Sequence, residues 1–443
     1  MPTDAPSVLA DLQAKIVSRE ALVGVVGLGY VGLPFAVEKA KVGFHVVGIE
    51  QNPLRAERVN RADNYISDVI TSELTDVVQG GWLRAVTDFS TLSELDVVVI
   101  CVPTPLDTNL TPDLSFVEGV TRQIAADLRR GQLVTLESTT YPGTTDNLMR
   151  PILESLSGLR QGEDFFLAHS PERVDPGNKR YSTKNTNKVV GASDPASLEV
   201  ATTFYRQTIE HVVPVSSAKA AELTKVFENT FRAVNIALVN ELALLCDRMG
   251  LDVWEVLDAA NTKPFGIMPF YPGPGVGGHC IPIDPHYLEW KAREYNFTTR
   301  FIGLAGEINR RMPEFVLEKA RRALNELGVA PSRSKVLVIG AAYKKDLADW
   351  RESPAVEVMK LLIADGVNLS FHDPYVPRIS LGGVNYESEA IDPDTLIDFD
   401  LVVIATDHSG LDYDMVVRNS KSVLDTRGVT RKTHPNHPKV HLL

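Results

Sequence analysis

Cysteine is scarce: the 443 residues contain three. A disulfide framework is therefore excluded as the source of stability, and each thiol has to be read from its own neighbourhood. Positive charge is in deficit, with 45 Lys and Arg against 57 Asp and Glu and a formal net charge of -12, which argues against nucleic acid or an anionic membrane as a general partner. No apolar run reaches the roughly 18 residues that a spanning helix needs. Residues 1–20 mix Asp, Lys, Arg and Glu throughout, so the expectation is a cytoplasmic protein with no membrane partner. Short-period repeats and low-complexity segments are lacking too. His279, Cys280 and His286 do not have zinc-like ligand spacing, so no metal centre is expected.

Core material is not lacking. Hydrophobic residues make up 44% and charged residues 23%, close to the globular average, and the length exceeds what one hydrophobic core organises, so two or three domains are expected. Apolar strand-like runs at residues 22–26, 45–49, 97–102, 133–136 and 165–168 alternate with helical patterns, the signature of a mostly parallel sheet covered on both faces. Over residues 216–249, Leu223, Val226, Phe227, Phe231, Val234, Leu238, Leu242 and Leu245 recur at spacings of three and four with no Gly or Pro until the end. A helix of that length would measure ~50 Å at 1.5 Å per residue, more than one small domain can cover, which predicts a face buried against another subunit. Strand patterns return at 336–339, 368–372 and 401–404. The predicted fold is α/β, with two Rossmann-like doubly wound parallel-sheet domains joined by a long central helix and boundaries at 1–205, 206–325 and 326–443.

The first motif with chemical content is Val25-Val26-Gly27-Leu28-Gly29-Tyr30-Val31-Gly32, an apolar strand running into G-x-G-x-x-G and then a helical segment. Gly27 permits the tight turn, Gly29 lets the backbone approach a pyrophosphate, and Gly32 packs helix on strand, with the helix N terminus facing the anion. Glu50 ends the next apolar strand, where a carboxylate holds the ribose hydroxyls of NAD and repels the extra phosphate of NADP. NAD is the expected cofactor. Arg55 follows one turn later, either beside the adenosine or simply solvated.

The second constellation surrounds Cys280. Cys101 and Cys246 sit in apolar strand and helix patterns and read as inert core, whereas Cys280 stands in Gly277-Gly278-His279-Cys280, in a stretch too rich in Gly and Pro to be core. A thiol presented there is placed to attack an aldehyde; metal ligand or bystander stay open as readings, because thiolate activation depends on neighbours that sequence does not show.

Taken together, the glycine loop, Val102-Pro103-Thr104-Pro105, Glu137-Ser138-Thr139, Ser170-Pro171-Glu172-Arg173, Lys225-Val226-Phe227-Glu228-Asn229, Gly277-Gly278-His279-Cys280 with Asp284, and Tyr343-Lys344-Lys345-Asp346 with Arg351-Glu352-Ser353 resemble the UDP-glucose/GDP-mannose dehydrogenase family, in the family's order. The resemblance implies an oxidoreductase that oxidises C6 of a nucleotide sugar twice, with two NAD per sugar, through a thiohemiacetal and a thioester on Cys280. It implies oxyanion-stabilising roles for Lys225 and Asn229, a proton-removing role with water for Asp284, and a role in thioester hydrolysis for Glu172. Thr104 and Thr139 would sit near the cofactor, along with Tyr30 and Val31 of the glycine loop, and Thr139 near the reaction. Arg173, Gly277, Lys344, Lys345 and Arg427 would contact the UDP-sugar, and Arg300 either its phosphate or a neighbouring subunit; the C-terminal domain binds the UDP part while the N-terminal one holds NAD. A homodimer through the central helix and a supply of polysaccharide precursors are also implied. Residues 261–275 look like the branch that acts on UDP-N-acetylhexosamines, UDP-N-acetylglucosamine in particular: UDP-glucose enzymes commonly carry an Arg on the approach to the glycine-rich loop, and none lies between Asn261 and Cys280. UDP-N-acetylmannosamine and UDP-glucose are the alternatives. A two-electron hydroxyacid dehydrogenase, or a binding protein that has lost turnover, would not need this set of polar residues.

Overall fold

The computed structural model describes residues 8–66, 68–173, 180–278 and 280–443; His279 of the glycine-rich loop lies outside them. The chain divides into two compact units, Met1–Glu228 with His286–Phe297, and Asn229–Pro285 with Thr298–Leu443.

In the first unit the strands are β1 (Val23–Val26), β2 (Val46–Ile49), β3 (Leu83–Val86), β4 (Val97–Ile100), β5 (Leu133–Leu136), β6 (Phe166–His169), β7 (Lys188–Gly191) and β8 (Val212–Val215). They form an eight-stranded sheet in the order β3-β2-β1-β4-β5-β6-β7-β8. From β3 to β6 the strands are parallel; β7 runs antiparallel to β6, and β8 runs parallel to β7. The central strands are Val-rich and buried along their whole length, as expected where helices cover both faces of a parallel sheet. Two apolar clusters lie on the two faces, one built on Leu33, Phe35, Phe204 and Tyr205, the other on Val98, Ile100, Ile124 and Leu153.

A continuous helix, Ala218–Met249, contains the division between the units. In the second unit β9 (Lys335–Ile339), β10 (Asn368–His372), β13 (Leu401–Ile404), β14 (Val423–Asp425) and β15 (Val440–Leu442) form a parallel sheet in the order β10-β9-β13-β14-β15, and β11 (Arg378–Leu381) pairs with β12 (Val384–Glu387) as a hairpin. The helices Arg300–Glu326 and Pro354–Ala364 contribute to one core of this sheet. The α/β architecture with two Rossmann-like sheets is as predicted. Strands β3, β7, β8 and β15 and the β11–β12 hairpin were not legible: β3, β8 and β12 are partly exposed, and β7 opens on a lysine. Among the described residues no helix is long and apolar enough to cross a membrane.

Candidate active site

The ends of β1, β4 and β5 build a nucleotide cradle in the first unit. Gly27 takes φ +89° and donates its N–H to Ile49 O at 2.8 Å. The helix Gly32–Lys41 begins immediately after the loop, and a Cβ at Gly32 would lie 1.8 Å from Gly27 O. That helix start has no side-chain cap, and a Cβ at Gly29 would meet open space, so main-chain amides face outward where a pyrophosphate fits. Glu50 is 6% exposed at the end of β2; its carboxylate accepts Leu28 N at 3.0 Å and Asn52 N at 2.9 Å, which aims it across the loop. Arg55 lies 4.0 Å from Glu50 and is largely exposed, and Tyr30 is half exposed next to Val31. These residues fit NAD. Thr104 and Thr139 lie in contact: the Thr104 hydroxyl donates to Thr139 O at 2.7 Å, and Tyr287 donates its hydroxyl to Thr104 O.

At the end of β6, Glu172 accepts a hydrogen bond from Lys188 Nζ at 3.2 Å and from its neighbour Arg173 N at 2.7 Å. Lys188 also donates to Glu137 at 2.6 Å, and Glu137 accepts the Tyr205 hydroxyl at 2.8 Å. The Arg173 guanidinium is engaged by Glu228 at 2.5 Å and by Asn187 O at 2.6 Å. Cys101 is buried, which pushes its thiol well above the ordinary range and leaves it unreactive.

In the second unit Asn229, 5% exposed, donates its amide to Asp284 Oδ2 at 2.5 Å. Asp284 is 2% exposed, and its N–H caps Cys280 O at 2.8 Å, so the thiol and the carboxylate stand one helical turn apart, with the thiol exposed. The loop leading to them is pinned by a buried amide pair: Asn240 accepts Gly273 N at 3.1 Å and donates to Asn309 at 2.9 Å. Gly277 is packed tightly, since a Cβ there would sit 2.7 Å from Pro354 Cδ and 2.8 Å from Tyr343 Cβ. Lys225, half-buried in the first unit, lies on the same continuous helix as Asn229, one turn earlier.

Lys344, Lys345 and Arg427 line one cavity of about 230 Å³, with Pro274, Tyr343 and Thr406. Their loop is held from beneath. Asp373 Oδ2 accepts Ala341 N at 2.7 Å and Ala342 N at 3.0 Å, and His408 bridges it to the loop, with Nε2 3.0 Å from Asp373 and Nδ1 accepting Asp346 N at 3.0 Å. Arg300 begins its helix exposed and is not among the residues lining that cavity. Sequence reasoning missed Lys188, Tyr205, Asp373 and His408. A charged residue opening an apolar strand run was the one available signal for Lys188; Asp373 stands where Glu50 stands in the first sheet.

Residues 21–209 match the NAD binding domain of the UDP-glucose/GDP-mannose dehydrogenase family, residues 219–311 its central domain and residues 337–432 its UDP binding domain. A UDP-N-acetyl-D-mannosamine dehydrogenase of Pyrococcus horikoshii is 35% identical over 93% of this chain and 96% of its own length. A UDP-N-acetyl-D-glucosamine 6-dehydrogenase of Pseudomonas aeruginosa is 37% identical over 81% of this chain and 84% of its own. The solved structure of a UDP-D-ManNAc dehydrogenase from Pyrococcus horikoshii superposes with a TM-score of 0.86 at 34% identity, covering 95% of this chain and 98% of that one.

Proposed function

Because the chain belongs to the UDP-glucose/GDP-mannose dehydrogenase family and is an NAD-dependent nucleotide-sugar dehydrogenase, we propose that it is a UDP-N-acetylglucosamine 6-dehydrogenase acting through Cys280. The observation that carries the mechanism is the buried Asn229–Asp284 pair one turn from the exposed Cys280 thiol. NAD, when bound, accepts one hydride at each of the two oxidations. Asp284, with a water, takes the proton of the C6 hydroxyl as the alcohol becomes an aldehyde. Cys280 Sγ then adds to the aldehyde carbon, and the thiohemiacetal loses its second hydride to become a thioester. A water attacks the thioester carbon, Glu172 takes its proton, and the C–S bond breaks to release the carboxylate and the Cys280 thiolate. Lys225 and the remaining amide hydrogen of Asn229 donate to the oxyanion that forms on addition and on hydrolysis.

The C-terminal cavity holds the diphosphate against Lys344, Lys345 and Arg427, whose cations suit phosphate; Thr104 and Thr139 shape the cofactor side. The domain division proposed is 1–205 for NAD, 206–325 for the central region and 326–443 for UDP. A homodimer through the helix Ala218–Met249 accounts for Leu223, Phe227 and Phe231, which are 41%, 60% and 40% exposed on it. The product, a UDP-linked uronic acid, is a cytoplasmic precursor for polysaccharide.

The absence of an Arg between Asn261 and Cys280 and the 37% identical glucosamine enzyme support the gluco sugar. The mannosamine relative, which spans more of the chain, supports UDP-N-acetylmannosamine as the second reading. NADH formed per sugar consumed, with each UDP-N-acetylhexosamine and with UDP-glucose, separates them. Two NADH per UDP-N-acetylglucosamine is expected, and preferential turnover of another sugar overturns the choice. Cys280→Ala is expected to abolish acid formation, by on the order of 1,000-fold or more, while NAD still binds; unchanged turnover would sink the thioester.

A further inference from the structure

We propose that Lys188 is a positioning residue for Glu172, delivered to the reacting edge of the sheet by the reversal of β7 and anchored there by Glu137 and Tyr205. This rests on the reading of Glu172 as the group that takes a proton during thioester hydrolysis.

In an all-parallel sheet every strand starts at the edge opposite the ligand-binding one. Strand β7 breaks that rule: it pairs antiparallel with β6 at His169 and Gly191, so its first residue, Lys188, lies beside the segment that leaves β6. The Ser170 hydroxyl donates to Val189 O at 2.9 Å and fixes this register. The reversal, which β8 shares, thus brings a cation to the edge at which the parallel strands β1 to β6 end.

Lys188 is 3% exposed and has two carboxylates, Glu137 at 2.6 Å and Glu172 at 3.2 Å. Glu137 is 1% exposed and is itself fixed by the Tyr205 hydroxyl, while the Glu172 side chain keeps 16% of its exposure. One carboxylate is an internal anchor and the other is the one solvent reaches. Such an arrangement aims Glu172 Oε2 and places a fixed positive charge next to it. Burial alone would lower the Lys188 pKa, but the two carboxylates raise it, so it remains a cation. The other titratable groups around the pair are Lys39, lowered by burial, His169, held neutral by burial, and the buried Cys101 thiol; Arg173 adds its backbone N–H to Glu172.

The sign follows from charge. A cation beside a carboxylate lowers its pKa by about 1 to 3 units, so removing Lys188 raises that of Glu172, and a base that must be ionised is lost at a higher pH. The experiment is a pH series of single-turnover reactions with saturating NAD, reading the two NADH phases and the mass of the adduct on Cys280 in the wild type, Lys188→Met, Lys188→Arg and Glu172→Gln. For Lys188→Met the acid limb of adduct hydrolysis is expected to move up by about one pH unit, with the adduct accumulating near neutrality and NAD affinity unchanged; Lys188→Arg is expected to restore the limb. The double variant Lys188→Met/Glu137→Gln removes the anchoring carboxylate together with its cation, and should show the same shift if the single variant folds poorly. If Glu172→Gln abolishes the limb but both Lys188 variants leave it in place, Lys188 is only structural and the proposal is overturned. If Glu172→Gln itself hydrolyses the adduct with a wild-type profile, the reading of Glu172 fails first.

Discussion

Gly27 follows β1 with φ +89° and donates to Ile49 O at 2.8 Å; Gly340 follows β9 with φ +89° and donates to His372 O at 2.8 Å. In both sheets a side chain at that glycine would strike the end of the next strand, Cys101 O at 2.6 Å in the first and Thr406 Cβ at 2.4 Å in the second. Each neighbouring strand ends in an acid, Glu50 or Asp373, that accepts the amide after the glycine. The two units then part. In the first, the helix starts at once at Gly32 and leaves uncapped amides for a dinucleotide. In the second, Asp373 is consumed by two amides and His408, and the helix is delayed to Pro354, so the intervening loop presents Lys344 and Lys345 instead. One switch-point geometry serves an amide cradle in one unit and a lysine-lined cavity in the other.

The sharpest way to break this comparison is Gly32→Ala. Its Cβ would collide with main chain at Gly27, so NAD affinity is expected to fall by on the order of 100-fold, with destabilisation of about 3 kcal/mol. Gly340→Ala should destabilise the second unit while calorimetric titration of NAD stays as in the wild type; a matching loss of NAD affinity would show that the two glycines are not separable.

Buried histidines give a smaller contrast. His408 has both ring nitrogens bonded, whereas among the described residues neither nitrogen of His169 has a hydrogen-bond partner. His408→Leu strands the Asp346 amide and one bond to Asp373, for an expected cost of about 2–3 kcal/mol, while His169→Leu is expected to be within about 1 kcal/mol of wild type at pH 7. Burial, aided by the Lys188 cation, depresses the His169 pKa from 6.5 to about 3. Stability is therefore fully present above pH 6.5 and falls as the unfolded chain takes up a proton, by about 2 kcal/mol at pH 5. Urea unfolding at pH 7 and pH 5 should show this loss reduced in His169→Leu; an identical acid loss in the variant would refute the assignment.

The smallest expected effect is at Arg55, 53% exposed and 4.0 Å from Glu50. Arg55→Ala should change the KM for NAD by less than about threefold, and a tenfold rise would make it a true adenosine contact.

The glycine loop, Glu50 and the strand runs were legible because they depend on local chemistry: backbone freedom at Gly27, β-branched runs at β1 and β4, an acid at a strand end. The pairing of Asn229 with Asp284 was not, since a residue inside one helix and the residue opening another, far apart in sequence, carry no mark of their contact. The partners of Arg173, Glu228 and Asn187 O, were not legible either, for the same reason. Asp373 escaped notice because no G-x-G precedes it, and its partners are backbone amides.

By itself, then, the sequence determined where the chain turns, which strands are buried, that an exposed thiol stands in a glycine-rich loop, and to which family these motifs belong, all properties of short segments with their own periodicity and backbone demands. Only the tertiary structure decided the direction of β7, and with it the placing of Lys188 beside Glu172. It also decided which of the polar residues are spent on one another, because direction and pairing depend on neighbours that the chain reaches only once it is folded.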